Sequence, residues 1–99
     1  MASCSDDKDD VNPAARLVGT WVCEDSYGID MYTFNSNGTG VNYYEEKGYS
    51  DTDYFNWTAT ETTLTITYPD YPGEYDKTSY TISPDGKRLT MWGEEYYRQ

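Results

Sequence analysis

Eighteen carboxylates and no histidine bound the chemistry open to this 99-residue chain. Without an imidazole there is no histidine triad, no histidine metal site and no neutral-pH proton shuttle. Cys23 lacks a histidine to activate it and shares a strand face with Trp21, so it reads as a small buried thiol and not a nucleophile. Carboxylate pairs are the remaining catalytic option. Glycosidase-type work needs two carboxyls at a fixed separation, one with a raised pKa. Glu45-Glu46, Asp51-Thr52-Asp53 and Glu94-Glu95 sit in or beside turns, where acids are ordinarily solvated. Asp51-x-Asp53-x-x-Asn56 lacks the central glycine and closing glutamate of a calcium loop. The expectation is a chain that is not an enzyme and holds no metal and no cofactor.

Tyrosine is the unusual chemistry. There are 12, more than one small core can hold. Neighbours on a strand face opposite sides, so one of Tyr43-Tyr44 and one of Tyr96-Tyr97 points outward. Exposed tyrosines can stack on sugars or seat a protein partner, and they also suit strands by propensity alone. The loop tyrosines Tyr49, Tyr71 and Tyr75 are the candidates for surface contacts.

Composition decides whether anything folds to position these groups. Leu, Ile, Val and Phe total only 12 residues and the net charge is −11, a balance typical of disorder. The 17% aromatic content argues the other way, because each buried aromatic removes roughly 150–250 Å² from water. Asp6, Asp7, Asp9 and Asp10 against Lys8 account for −3, leaving −8 on the body. That body repels phosphate backbones, which excludes nucleic acid as a partner. No stretch is long and apolar enough to span a bilayer as a helix.

Residues 1–11 read as a flexible acidic tether and 12–99 as one domain. Asn12-Pro13 opens a short helical turn, with Asn as cap and Pro at the first helical position. Strands follow over 17–24, 29–35, 39–45, 52–59, 63–68, 75–83, 88–92 and 95–99. Asn37-Gly38 supplies positive φ for a tight hairpin, and Pro84-Asp85-Gly86 turns the chain again. Turns recur about every ten residues, as in sandwiches and up-and-down barrels. A meander removes its exposed edges when the last strand pairs with the first. The fold class expected is all-β: an antiparallel up-and-down barrel of about eight strands.

The ordered set Leu17-Val18-Gly19-Thr20-Trp21, Tyr32-Thr33-Phe34-Asn35-Ser36-Asn37-Gly38, Phe55-Asn56-Trp57, Leu64-Thr65-Ile66 and Tyr80-Thr81-Ile82-Ser83-Pro84-Asp85-Gly86 resembles the lipocalin-like domains of small secreted bacterial lipoproteins. The resemblance implies that Gly19 and Trp21 are the structural signature and that Arg98 on the last strand stacks on Trp21. It also implies a small apolar or amphipathic ligand, with Phe34, Phe55, Trp57 and Tyr80 turned inward to meet it; a monomer is expected. Small residues before Cys4, and the Ser/Asp run after it, resemble the lipid-attachment site and export tether of such lipoproteins. A secreted protein at the outer membrane or cell surface follows, touching membrane only through a lipid on Cys4. The alternative is a solid barrel whose Tyr-rich loops meet a surface protein or glycan, in the manner of an inhibitor.

Overall fold

A computed structural model describes residues 13–99. One short helix, α1 (Pro13–Leu17), precedes eight strands: β1 (Gly19–Glu24), β2 (Gly28–Phe34), β3 (Thr39–Glu46), β4 (Tyr49–Ala59), β5 (Thr63–Thr67), β6 (Tyr75–Ile82), β7 (Arg88–Met91) and β8 (Glu94–Arg98). Every strand pairs antiparallel with the next, and β8 closes on β1 through Trp21↔Arg98 and Val22↔Tyr97. Closure leaves no free edge to template aggregation. The Asn12 cap and the tether lie outside the described residues.

Two ends result. The closed end gathers α1 and the turns after β2, β4 and β6; the open end gathers those after β1, β3, β5 and β7. Inward positions follow the period of two. Trp21, Phe34, Phe55, Trp57, Leu64, Ile66, Tyr80, Leu89, Met91 and Tyr96 are buried, and Leu17 of α1 plugs the closed end. Thr65, between Leu64 and Ile66, faces outward as strand alternation requires.

Two turns differ from the sequence expectation. The segment 46–51, read as a polar loop, is a two-residue turn at Lys47-Gly48, so β4 begins at Tyr49. Lys47 takes φ 46°, and both central residues are left-handed, which matches the twist of a tight hairpin. The β2–β3 hairpin, expected to place positive φ at Asn37-Gly38, does so only at Gly38 (φ 88°). Gly38 N donates to Asn35 O at 3.1 Å, and Asn37 Oδ1 accepts from Thr39 N instead.

Candidate functional site

The closed end is built from the signature residues. Gly19 has φ +135°, and a Cβ there would sit 2.7 Å from Arg98 Nη1. The missing side chain leaves room for the guanidinium over the Trp21 ring, 4.2 Å from its centre. Arg98 also donates to Gly86 O (2.7 Å), Val18 O (2.9 Å) and Arg16 O (2.7 Å). Trp21 Nε1 donates to Leu17 O at 2.9 Å. Together they satisfy carbonyls that the end of α1 leaves without helical partners. Gly19, Trp21 and Arg98 therefore form one structural unit.

The interior next to it is full. Phe34 packs edge-on against Trp57 and Phe55, at centroid distances of 5.1 and 5.7 Å. Trp57 Nε1 donates to Thr39 O (3.0 Å) and Asn35 O (3.2 Å), tying the β2–β3 hairpin to β4. Tyr80 donates its hydroxyl to Thr60 O. Phe34, Phe55 and Trp57, expected to meet a ligand, are core and border none of the three cavities described below. Tyr80 borders one, a depression of about 190 Å³ between β6 and β7.

Above the Phe34–Phe55 layer the interior changes character. Tyr32 lies over both rings and stacks on Trp92 at 5.6 Å, with Tyr96 edge-on at 5.5 Å. Asp30 accepts from Tyr96 Oη at 2.9 Å and from Asn42 Nδ2 at 2.8 Å. Tyr68, just after β5, donates to Asp76 on the neighbouring β6. Burial, then the negative charge of Asp30, pushes the Tyr32 and Tyr96 hydroxyls well above the ordinary tyrosine range. Burial and the bond to Asp76 push Tyr68 up to about 12. Raised values favour the protonated hydroxyls, and those of Tyr68 and Tyr96 donate to acids.

A cavity of about 200 Å³ opens here, between the β1–β2 turn and the start of β8. Asp25, Asp30 and Glu94 face it, with Tyr27, Tyr44 and Tyr96 as aromatic walls. Cys23 also lines it. It is half-buried, not fully buried as expected, and its Sγ lies 3.8 Å from Glu94 Oε1. Burial and then Glu94 raise its pKa, which keeps the thiol protonated and unreactive. Among the described residues no three acids or cysteines converge to hold a metal ion.

The three candidate contact tyrosines are all at the surface. Tyr49, Tyr71 and Tyr75 are 60%, 65% and 60% exposed. Tyr71 is in a loop, but Tyr49 and Tyr75 open β4 and β6 instead of lying in loops. Tyr75 and Lys77 border an outer groove of about 410 Å³ under the 68–74 loop, with Tyr68 and Pro72. Cys4 lies outside the described residues. Sequence reasoning missed Asp30, Tyr44, Glu94 and Trp92 as mouth residues. Parity from Trp21 and Phe34 carries Asp30 and Tyr44 inward, but Trp92 reaches Tyr32 from a two-residue turn (φ 51°) that strand alternation does not describe.

Comparison with known proteins agrees with the geometry. Searches of curated proteins and of solved structures found no match. A family model described as a lipocalin-like domain matches residues 5–91, which leaves β8 and Arg98 beyond its end. With a closed eight-stranded meander sealed by Trp21, and a match over most of its length, the chain belongs to the lipocalin-like domain family, whose barrel is a ligand-binding type of domain.

Proposed function

We propose that this domain is the non-catalytic binding module of a secreted bacterial lipoprotein, and that it takes a small amphipathic molecule at the open end of the barrel. The observation that carries the reading is the change of lining halfway up the interior. Below, aromatic side chains fill the space; above, Tyr32 stacks on Trp92 and meets Tyr96, and Tyr96 lines a cavity bordered by polar groups. At about 200 Å³ that cavity is smaller than the roughly 300 Å³ at which small-molecule sites begin. Only part of a ligand fits inside, with the remainder on the rim. The tether supports surface display: Ser5 to Asp10 is a charged spacer after Cys4, the residue that would carry the lipid.

Trp92 is the reporter. It is 38% exposed and stacked on Tyr32, which meets the cavity-lining Tyr96 edge-on, so it senses the cavity through those two rings, whereas Trp21 and Trp57 are buried. Titration with six-carbon amphipaths bearing neutral, anionic and cationic heads should give a saturable change in tryptophan emission for at least one head group. The change should be lost in Cys23→Phe, which fills the cavity. A flat response to every member sinks this reading.

A second reading is favoured by the outer groove. Its walls are largely apolar, and Tyr71 and Tyr75 stand exposed beside it, as a contact for a protein or glycan would require. Glycan-array binding abolished by Tyr75→Ala would select it over the first.

A further inference from the structure

The head group of the ligand can be argued from the mouth. This step rests on the proposed open-end site. Three carboxylates, Asp25, Asp30 and Glu94, border the 200 Å³ cavity, and no lysine or arginine does. Tyr27, Tyr44 and Tyr96 supply the remaining polar and aromatic wall. Tyrosine faces attract cations through the ring quadrupole, and a carboxylate beside them adds directly to that attraction.

The charge of the whole domain is sorted the same way. Of the six described cations, Arg16, Lys87, Arg88 and Arg98 lie at the closed end. Of the fourteen described carboxylates, only Glu61 and Asp85 lie there. The open half thus carries twelve acids against Lys47 and Lys77. A cleft lined by one sign of charge concentrates the opposite ion.

A bare metal ion does not fit this arrangement. It needs oxygen ligands converging on one point at about 2.0–2.6 Å. Here the acids are spread around the cavity, and no described group of three converges. Asp30 already accepts from Tyr96 and Asn42, and Asp25 Oδ1 accepts from the amides of Tyr27 and Gly28. These hydrogen bonds fix the geometry of both carboxylates. Only Glu94 is held loosely, by the Cys23 thiol. Such a site suits a cation that is itself extended and partly apolar.

We propose that the cavity bordered by Asp25, Asp30, Glu94, Tyr27, Tyr44 and Tyr96 binds an organic cation, a small amine or quaternary ammonium with an attached apolar group. The ammonium lies among the carboxylates and tyrosine faces, and the apolar group lies against the rim.

Calorimetric titration of the full chain with hexylamine, hexanol and hexanoate tests this. Hexylamine should bind at least about tenfold more tightly than hexanol, and hexanoate should not bind. Glu94→Gln, which leaves the Asp30 network intact, should weaken hexylamine about threefold, the scale of a partly exposed ion pair. Glu94→Lys should abolish the preference and leave hexanol unchanged. Equal binding of hexylamine and hexanol would overturn the organic-cation proposal while leaving the open-end site standing. An amine preference that survives Glu94→Lys overturns the placement. Displacement of hexylamine by stoichiometric calcium would show a metal site and overturn it too. No binding of any of the three, together with a flat Trp92 response, removes both the proposal and the reading beneath it.

Discussion

The Arg98 guanidinium lies 4.2 Å above the Trp21 ring, in space that Gly19 leaves open. Arg98 thereby holds the end of α1, the Val18 link into β1 and the β6–β7 turn together through three backbone carbonyls. Arg98→Met should destabilise the domain by about 2–4 kcal/mol, the sum expected for a partly desolvated cation–π contact and charge-assisted bonds. Arg98→Lys should recover little, since an ammonium has no planar fork. Urea unfolding checks both, with the exposed Arg88→Met as a control that shifts stability by less than about 0.5 kcal/mol.

Gly40 faces Phe55 across the β3–β4 pair, and a Cβ there would meet Phe55 Cε1 at 2.3 Å. Gly40→Ala should therefore overpack the core and destabilise it by about 1–3 kcal/mol. Phe55→Leu removes the clashing ring edge. In a double-mutant cycle, thermal unfolding should show the pair costing less than the sum of the singles by at least about 0.5 kcal/mol. Strict additivity would mean that the ring does not occupy the glycine's space.

Alkali should unfold this domain in step with its inner tyrosines. Tyr32, Tyr68 and Tyr96 all have folded-state pKa values above the ordinary value of about 10, chiefly through burial. Folding then favours the protonated hydroxyl. Its contribution is complete below about pH 10, where the unfolded tyrosine is also neutral, and is lost as pH rises toward the folded value, about 12 for Tyr68. Tyrosinate absorbance should rise in two steps, with Tyr32, Tyr68 and Tyr96 in the second. The second should coincide with loss of near-UV circular dichroism. Tyr96→Phe should cost about 1.5–3 kcal/mol at neutral pH by taking a donor from Asp30.

Cys23 should react slowly with a maleimide despite its partial exposure, because burial and Glu94 hold it as the thiol. With Cys4→Ser removing the other thiol, Glu94→Gln should speed labelling at pH 8 severalfold. An unchanged rate would mean that Glu94 is not the group suppressing the thiolate.

Much of the barrel was legible in the residues. Alternation in Leu64-Thr65-Ile66 and Phe55-Asn56-Trp57 assigns inside and outside, because side chains on a strand point to opposite faces at every step. Gly19, Trp21 and Arg98 carried the closed end, since a family pattern of spaced residue types is itself sequence. The hairpin at Lys47-Gly48 was not legible at its true length, and the two-residue turn at Trp92-Gly93 was legible only one residue out of place, at Gly93-Glu94. Lysine and tryptophan disfavour positive φ, and it is the pairing of the strands on either side that forces it.

Composition determined by itself that the domain is acidic, aromatic and without imidazole chemistry. Whether Phe34, Phe55 and Trp57 surround a ligand or fill the barrel was decided only by the tertiary structure. Sequence states that three rings face inward; how far apart the strands hold them is set by closure of β8 on β1. The same closure brings Asp30 of β2, Glu94 of β8 and Tyr44 of β3 to one mouth. Residues 64 positions apart share a cavity because a ring of strands makes its first and last members neighbours, and no local pattern encodes that distance.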